Sequence, residues 1–330
     1  MIKFVFRTNP SSYCWWLLML LGLALITPPI LVRTNLYNRR ASSYNEANED
    51  YPFEVASQSF DVVVFGESTG RFDIDPRIVS GDLRLSSINL SENMPFLRLV
   101  GELGLDRYLS RNHKPKLLVL AISPSNASLP KDRIRLTGFE GWYALIRHGT
   151  PKDAFRAFLR SPLSFFTFWS TVMLKTHSLG EPAVRYSVLH KEVLDGRGYT
   201  PFQVSLPLAS CPAAPPDQKE LVKQHSYIDY FVRKYELRGL KVAVFLTPVP
   251  DCNPNLAMFK NSLRGIASNE PYGIARGLFA NDQWASHALP QAVPRITSDF
   301  VAAIKPLLLA VEPQVAIQKT IPAKRRADVI

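Results

Sequence analysis

The reading of the fold turns on "DVVVFGESTGRFDIDP", residues 61–76. Three valines and a phenylalanine in succession describe a strand buried on both faces, because a strand covered by helices on each side need not alternate apolar with polar residues. The run stops at Gly66, and the small hydroxyl residues Ser68 and Thr69 follow at once. Such a stop is either a plain tight turn or a strand-to-helix junction that holds a nucleophile. The rest of the chain has to separate the two.

Outward from this stretch, "SSINLS" (86–91), "KLLVLAIS" (116–123) and "KVAVFLTP" (241–248) read as further short apolar strands. Amphipathic segments lie between them. Leu99, Val100, Leu103 and Leu109 recur at near-helical spacing, as do Leu221, Ile228, Phe231, Val232 and Tyr235. A last helix is expected from about Thr297 to Val311, with the "TSD" cluster as its N-cap and Phe300, Ile304, Leu307 and Leu308 on one side. Strands alternating with helices predict an α/β domain over residues 60–310: a flavodoxin-like, three-layer, doubly wound parallel sheet. Residues from about 130 to 205 break the alternation and read as a helical insertion. Inside it, "SPLSFFTFWSTVML" (161–174) is short for a membrane span and is either a buried helix or a face resting on a bilayer or a membrane partner. Trp142, Tyr143 and Trp169 are core residues or sugar-stacking platforms.

The N-terminus carries "SYCWWLLMLLGLALITPPILV", residues 12–32, without a charge and long enough to cross a hydrocarbon core of ~30 Å. An uncleaved transmembrane anchor fits better than a signal peptide, since the run is too long and lacks a small-residue cleavage site. Residues 1–11 would form a short cytoplasmic segment, although the flanking charges do not set the orientation. Residues 33–59, rich in Asn, Ser and charge, read as a polar stalk, and 311–330 as a basic tail. The formal charge of +11 is compatible with a membrane surface, an acidic polymer or a merely solvated exterior. No zinc-finger, RRM or basic-helix signature is present, so nucleic acid is not an expected partner. No His/Cys/Asp cluster has ligand spacing and "GESTG" lacks the P-loop lysine, so neither metal nor cofactor is expected.

In open parallel sheets functional groups gather at the carboxyl ends of strands, where Ser68 stands. A serine there needs a base. Of the six histidines, His287, in the loop "LFANDQWASHALPQAVPRITSDF" ahead of the final helix and close to Asp282, is best placed.

The order of "GESTG", "INLS", "LAISPSN" and an Asp and His before the last helix resembles the SGNH (GDSL-like) hydrolase and acyltransferase superfamily across most of residues 60–310. The resemblance implies that Ser68 is the nucleophile, His287 the base and Asp282 its carboxylate. It also implies that Gly66, Thr69, Asn89, Ser91 and Asn126 shape the oxyanion and substrate site. "NLSENM" has no glycine where the family has one, and Asp282 precedes His287 by five residues instead of the family's three. A Ser-His-Asp triad and a Ser-His dyad are both open. With the anchor, the chain looks most like members found beside membrane-bound O-acyltransferases. That likeness implies a single-pass inner-membrane protein with a periplasmic domain acting on O-acyl groups of cell-surface polysaccharide, with the bilayer and an acyltransferase as partners. The rival is an inactive SGNH-like domain that binds polysaccharide or scaffolds an export complex. Cys14 lies in the anchor, leaving Cys211 and Cys252 in proline-rich loops. An oxidising compartment favours a disulfide between them over two free thiols.

Overall fold

The computed structural model describes residues 10–34, 37, 44–93, 102–127, 138–177, 184–202, 206–211, 226–282 and 286–309. Leu99, Val100, Leu221, His225 and the basic tail lie outside them.

Helix α1 (Pro10–Arg33) is followed by α2 (Tyr44–Glu54), then β1 (Val62–Gly66), α3 (Ser68–Asp73), α4 (Pro76–Leu83) and β2 (Ser87–Asn89). Next come α5 (Leu103–Arg111), β3 (Leu117–Ile122) and the short α6 (Pro124–Ala127). The insertion is helical, as expected: α7 (Phe139–His148), α8 (Pro151–Arg160), α9 (Pro162–His177) and α10 (Val184–Asp195). The chain then forms α11 (Ser226–Glu236), β4 (Val242–Leu246), β5 (Val249–Pro250), α12 (Leu256–Ser262), β6 (Gly273–Ile274) and α13 (Val293–Leu309).

All four expected strands form, in a parallel sheet of order β2-β1-β3-β4. Alternate strand residues feed two cores. Val63, Phe65, Leu118 and Leu120 pack with Leu105, Phe231 and Tyr235 on one face, and Val62, Val64, Leu117 and Val119 with Val79, Phe300 and Ile304 on the other. Helices therefore cover both faces, which is why these strands are unbroken apolar runs. The chain leaves β1 toward β2 on one side and returns to β3 on the other, so the crevice at the carboxyl ends of β1 and β3 is the switch point of the sheet.

The expected stalk needs correction between residues 44 and 54. This stretch is α2, whose Glu46, Ala47, Asn48, Glu49, Asp50 and Tyr51 are buried against α5, α7 and α10. A buried carboxylate is costly unless it is paired, and these are paired. Asp50 lies 2.9 Å from Arg147, 2.6 Å from His148 and accepts from the Tyr143 hydroxyl at 2.9 Å. Glu46 meets Lys175 at 2.6 Å. These partners of Asp50 and Glu46 come from the insertion, about a hundred residues on, so local composition reads as solvent-exposed.

One open alternative is decided and one further expectation changes. Trp142 and Tyr143 are fully buried in the core shared by α7 and α9, which removes them as sugar platforms. The final helix starts at Val293, with Pro294 in its first turn, a position that suits proline's fixed φ. Thr297 is thus not a cap. Its buried hydroxyl accepts from the Asp75 N–H at 3.1 Å and ties α13 to the segment after α3. Among the described residues no helix is long and apolar enough to cross a membrane.

Candidate active site

The strand stops at a glycine because β1 and β3 nearly touch there. A Cβ on Gly66 would lie 1.8 Å from the carbonyl oxygen of Ala121, a position no other residue can take. Glu67 follows with extended backbone, φ −89° and ψ −172°, and α3 starts at Ser68. The Glu67 side chain does not cap this helix. It accepts instead from the Ser123 N–H, the Asn126 amide and, at 3.1 Å, the Thr69 hydroxyl. Glu67 thereby staples the loops after β1 and β3. Burial pushes its carboxyl above the usual range, against the pull of those hydrogen bonds.

Ser68, at the start of α3, is half-buried, and its Oγ lies 2.9 Å from Nε2 of His287. On the other side of the ring, Nδ1 lies 2.5 Å from Oδ2 of Asp282. The wide spacing of Asp282 and His287 works because their loop is closed at its base. Phe279 and Ala288 face each other as an antiparallel bridge, with the Ala280 N–H donating to His287 O at 2.9 Å and the Leu289 N–H to Leu278 O at 2.8 Å. The two functional side chains consequently meet across the loop. A segment after the insertion braces it from outside, through Leu208 N–H to Phe279 O at 2.8 Å and Asn281 N–H to Leu206 O at 2.9 Å.

Two phenylalanines fix the imidazole plane. Phe202 stacks on His287 with centroids 4.5 Å apart and an interplanar angle of 21°, and Phe72 meets it edge-on at 5.2 Å. Below, Asp73 Oδ1 accepts from the Ala288 N–H at 3.1 Å and pins the histidine loop to α3. Asp73 is fully buried. Desolvation holds its carboxyl well above the ordinary range, and repulsion from Glu67 and Asp282 adds to the rise.

The remaining expected site residues divide. Asn126 is at the site but spends part of its amide on Glu67. Asn89 donates to Gly70 O and Ile74 O, both at 2.9 Å, and accepts from the Ser91 N–H at 3.0 Å. It holds the shape of α3 from beneath, so its amide is not an oxyanion donor here. The Thr69 hydroxyl points inward, donating to Glu67 and accepting from Thr247 at 3.1 Å. The Ser91 hydroxyl is buried near the place a Gly70 side chain would take, 2.9 Å from that Cβ position. Cys211 and Cys252 form a disulfide, with Cα atoms 5.9 Å apart.

Other histidines also find carboxylates: His148 meets Asp50, and His190 meets Glu54 at 2.5 Å. Among the described residues, His287 is the histidine that joins a carboxylate to a serine hydroxyl. Sequence reasoning missed Glu67, Asp73 and Phe202. The first two stand in the decisive stretch but carry no periodic signal, and Phe202 comes from the end of the insertion, with nothing local to mark it. Among the described residues no group of three or more His, Cys, Asp or Glu is arranged to hold a metal ion.

The arrangement can move a proton from a serine hydroxyl to an imidazole while a carboxylate stabilises the resulting cation, which is the requirement of serine-based acyl transfer. No protein-family model, no curated protein and no solved structure matches the chain.

Proposed function

We propose that the protein is a serine-dependent acyltransferase or esterase of SGNH-like, flavodoxin-like architecture, held at the inner membrane by the exposed apolar surface of α1 and acting on O-acyl groups of cell-surface polysaccharide on the periplasmic side. The observation that carries the chemistry is the continuous relay from Asp282 through His287 to Ser68. Ser68 Oγ attacks the acyl carbonyl, and His287 Nε2 takes its proton. Asp282 holds Nδ1–H and stabilises the imidazolium. The carbonyl oxygen becomes an oxyanion beside the first turn of α3, whose leading N–H groups have no intrahelical carbonyl to meet. Collapse of the tetrahedral intermediate expels the alcohol, which takes the proton from His287. A sugar hydroxyl or water then attacks the Ser68 ester with His287 again as base, giving transfer or hydrolysis.

The membrane and surface-polymer parts rest on the apolar run of residues 12–32 and on the sequence resemblance. Along α1, Trp15, Trp16, Leu17, Leu18, Met19 and Leu20 are all exposed in succession, which is apolar surface all round a helix. A membrane-bound O-acyltransferase supplying the acyl group is the partner this reading carries. The engaged amides of Asn89 and Asn126 favour a second reading, an inactive domain that binds polysaccharide or scaffolds an export complex.

A fluorophosphonate probe separates the two. Covalent labelling of folded protein, lost in Ser68→Ala, is the expected result, and absence of labelling in folded protein selects the scaffold. Protease added to intact spheroplasts should digest the domain from Phe60 onward; protection until lysis would remove the periplasmic assignment.

A further inference from the structure

Helices α8 and α9 present an outward face that the proposed chemistry does not use. On α8, Phe155 and Leu159 are 61% and 64% exposed and form one row, and beside it Lys152, Arg156 and Arg160 form a second exposed row at four-residue spacing. On α9, Leu163, Phe166 and Leu174 are 80%, 47% and 72% exposed and recur on one side of the helix, opposite Phe165, Phe168 and Val172 in the core. Apolar side chains flanked by basic ones are the composition of a helix lying in a lipid interface, where the rings enter the acyl boundary and the cations reach headgroup phosphates.

The position of this face names the occupant. The end of α1 is joined to the end of α7: Arg33 donates to Ile146 O at 2.7 Å, Arg147 donates to Val32 O at 2.8 Å, and Val32 belongs to the same core cluster as Trp142, Phe165 and Phe168. Helix α8 begins three residues after α7 ends. Where α1 meets a membrane, α8 and the start of α9 are therefore at the level of the headgroups.

We propose that the outer face of α8 and α9 rests on the anionic leaflet of the bilayer and sets how the domain stands on the membrane. The proposal rests on α1 being the anchor, and it is independent of acyl chemistry.

The test uses the full chain reconstituted in vesicles of phosphatidylcholine alone or with phosphatidylglycerol. An environment-sensitive fluorophore is placed at Leu159→Cys or Leu163→Cys in a Cys14→Ser background, with the native disulfide left oxidised. Quenching by lipids carrying a shallow nitroxide is the readout. Leu237→Cys, on an 80% exposed position after α11, is the control, and native Cys14 reports the anchor separately. Quenching at residues 159 and 163 several-fold above that at residue 237, stronger with phosphatidylglycerol and reduced to the control level by Lys152→Glu/Arg156→Glu/Arg160→Glu, is expected. Quenching no greater than at residue 237 while Cys14 is quenched overturns the proposal and leaves the anchor. Absence of lipid quenching at Cys14 overturns the anchor. Shielding of residue 159 from aqueous iodide without lipid quenching overturns the proposal in favour of a protein partner, and equal quenching in the neutral vesicles overturns the role of the basic row.

Discussion

At the scale of single residues, the site depends on which proton each group can hold. Ser68→Ala removes the proposed nucleophile and should lower turnover of an activated acyl ester by about 10⁴- to 10⁶-fold with the fold intact, because a half-exposed serine hydroxyl contributes little packing. Asp282→Asn should cost about 10⁴-fold if the carboxylate sets the tautomer of His287. An Asp282→Asn protein that keeps most of its rate would reduce the relay to a Ser-His dyad. Asp73 gives a pH prediction. Its folded-state pKa is raised, chiefly by burial, so the folded protein binds that proton more tightly than the unfolded chain. The stabilisation this represents is present below the unfolded value of about 4 and is lost as pH rises through the folded one. Asp73→Asn keeps an acceptor for the Ala288 N–H and no longer ionises. Its melting temperature relative to the parent should climb steadily from acid to alkaline pH. A constant difference across that range would show that Asp73 is not the buried acid described here.

Among the elements, α2 is where burial and polarity conflict most. Its carboxylates are internal only because α7 and α9 bring Arg147, His148, Tyr143 and Lys175 to them. Asp50→Ala should destabilise the protein by about 3–5 kcal/mol, since it strands the Arg147 guanidinium and the Tyr143 hydroxyl beside a space the carboxylate filled. Denaturant unfolding checks this; a loss under about 1 kcal/mol would place α2 among surface ion pairs, where such small values belong. The loop joining Asp282 to His287 works in the opposite way, with two residues five apart brought into contact by a backbone bridge at Phe279 and Ala288.

For the molecule as a whole, the question is what ties the insertion's return to the sheet. Cys211 follows the segment that braces the histidine loop, and Cys252 follows β5, so their bond fastens that brace to the carboxyl end of the sheet. Closing a loop of sequence separation 41 is worth roughly 4 kcal/mol on the chain-entropy account. Cys211→Ser/Cys252→Ser should lower the melting temperature and loosen the site, with turnover falling more steeply on warming than in the parent. Free, alkylatable thiols at both positions in protein from its native compartment would remove the bridge.

Strand positions and the place of Ser68 at the end of β1 were legible in the sequence, because each rests on local pattern: buried parallel strands are continuous apolar runs, and their carboxyl ends collect functional groups. The nearness of His287 to Asp282 was legible from their spacing in one loop. The pairing of Cys211 with Cys252 was legible from count and loop context. Tertiary structure decided the rest. Whether Asp282 could reach His287 depended on a bridge between Phe279 and Ala288, and the fate of 44–54 depended on cations about a hundred residues away. The stacking of Phe202 on His287 and the diversion of Asn89 into holding α3 likewise arise from contacts between distant segments. Periodicity and composition report a residue's neighbours along the chain. Desolvation, pairing and ring orientation are set by neighbours in space, and these determine what a carboxylate, an amide or an imidazole can do.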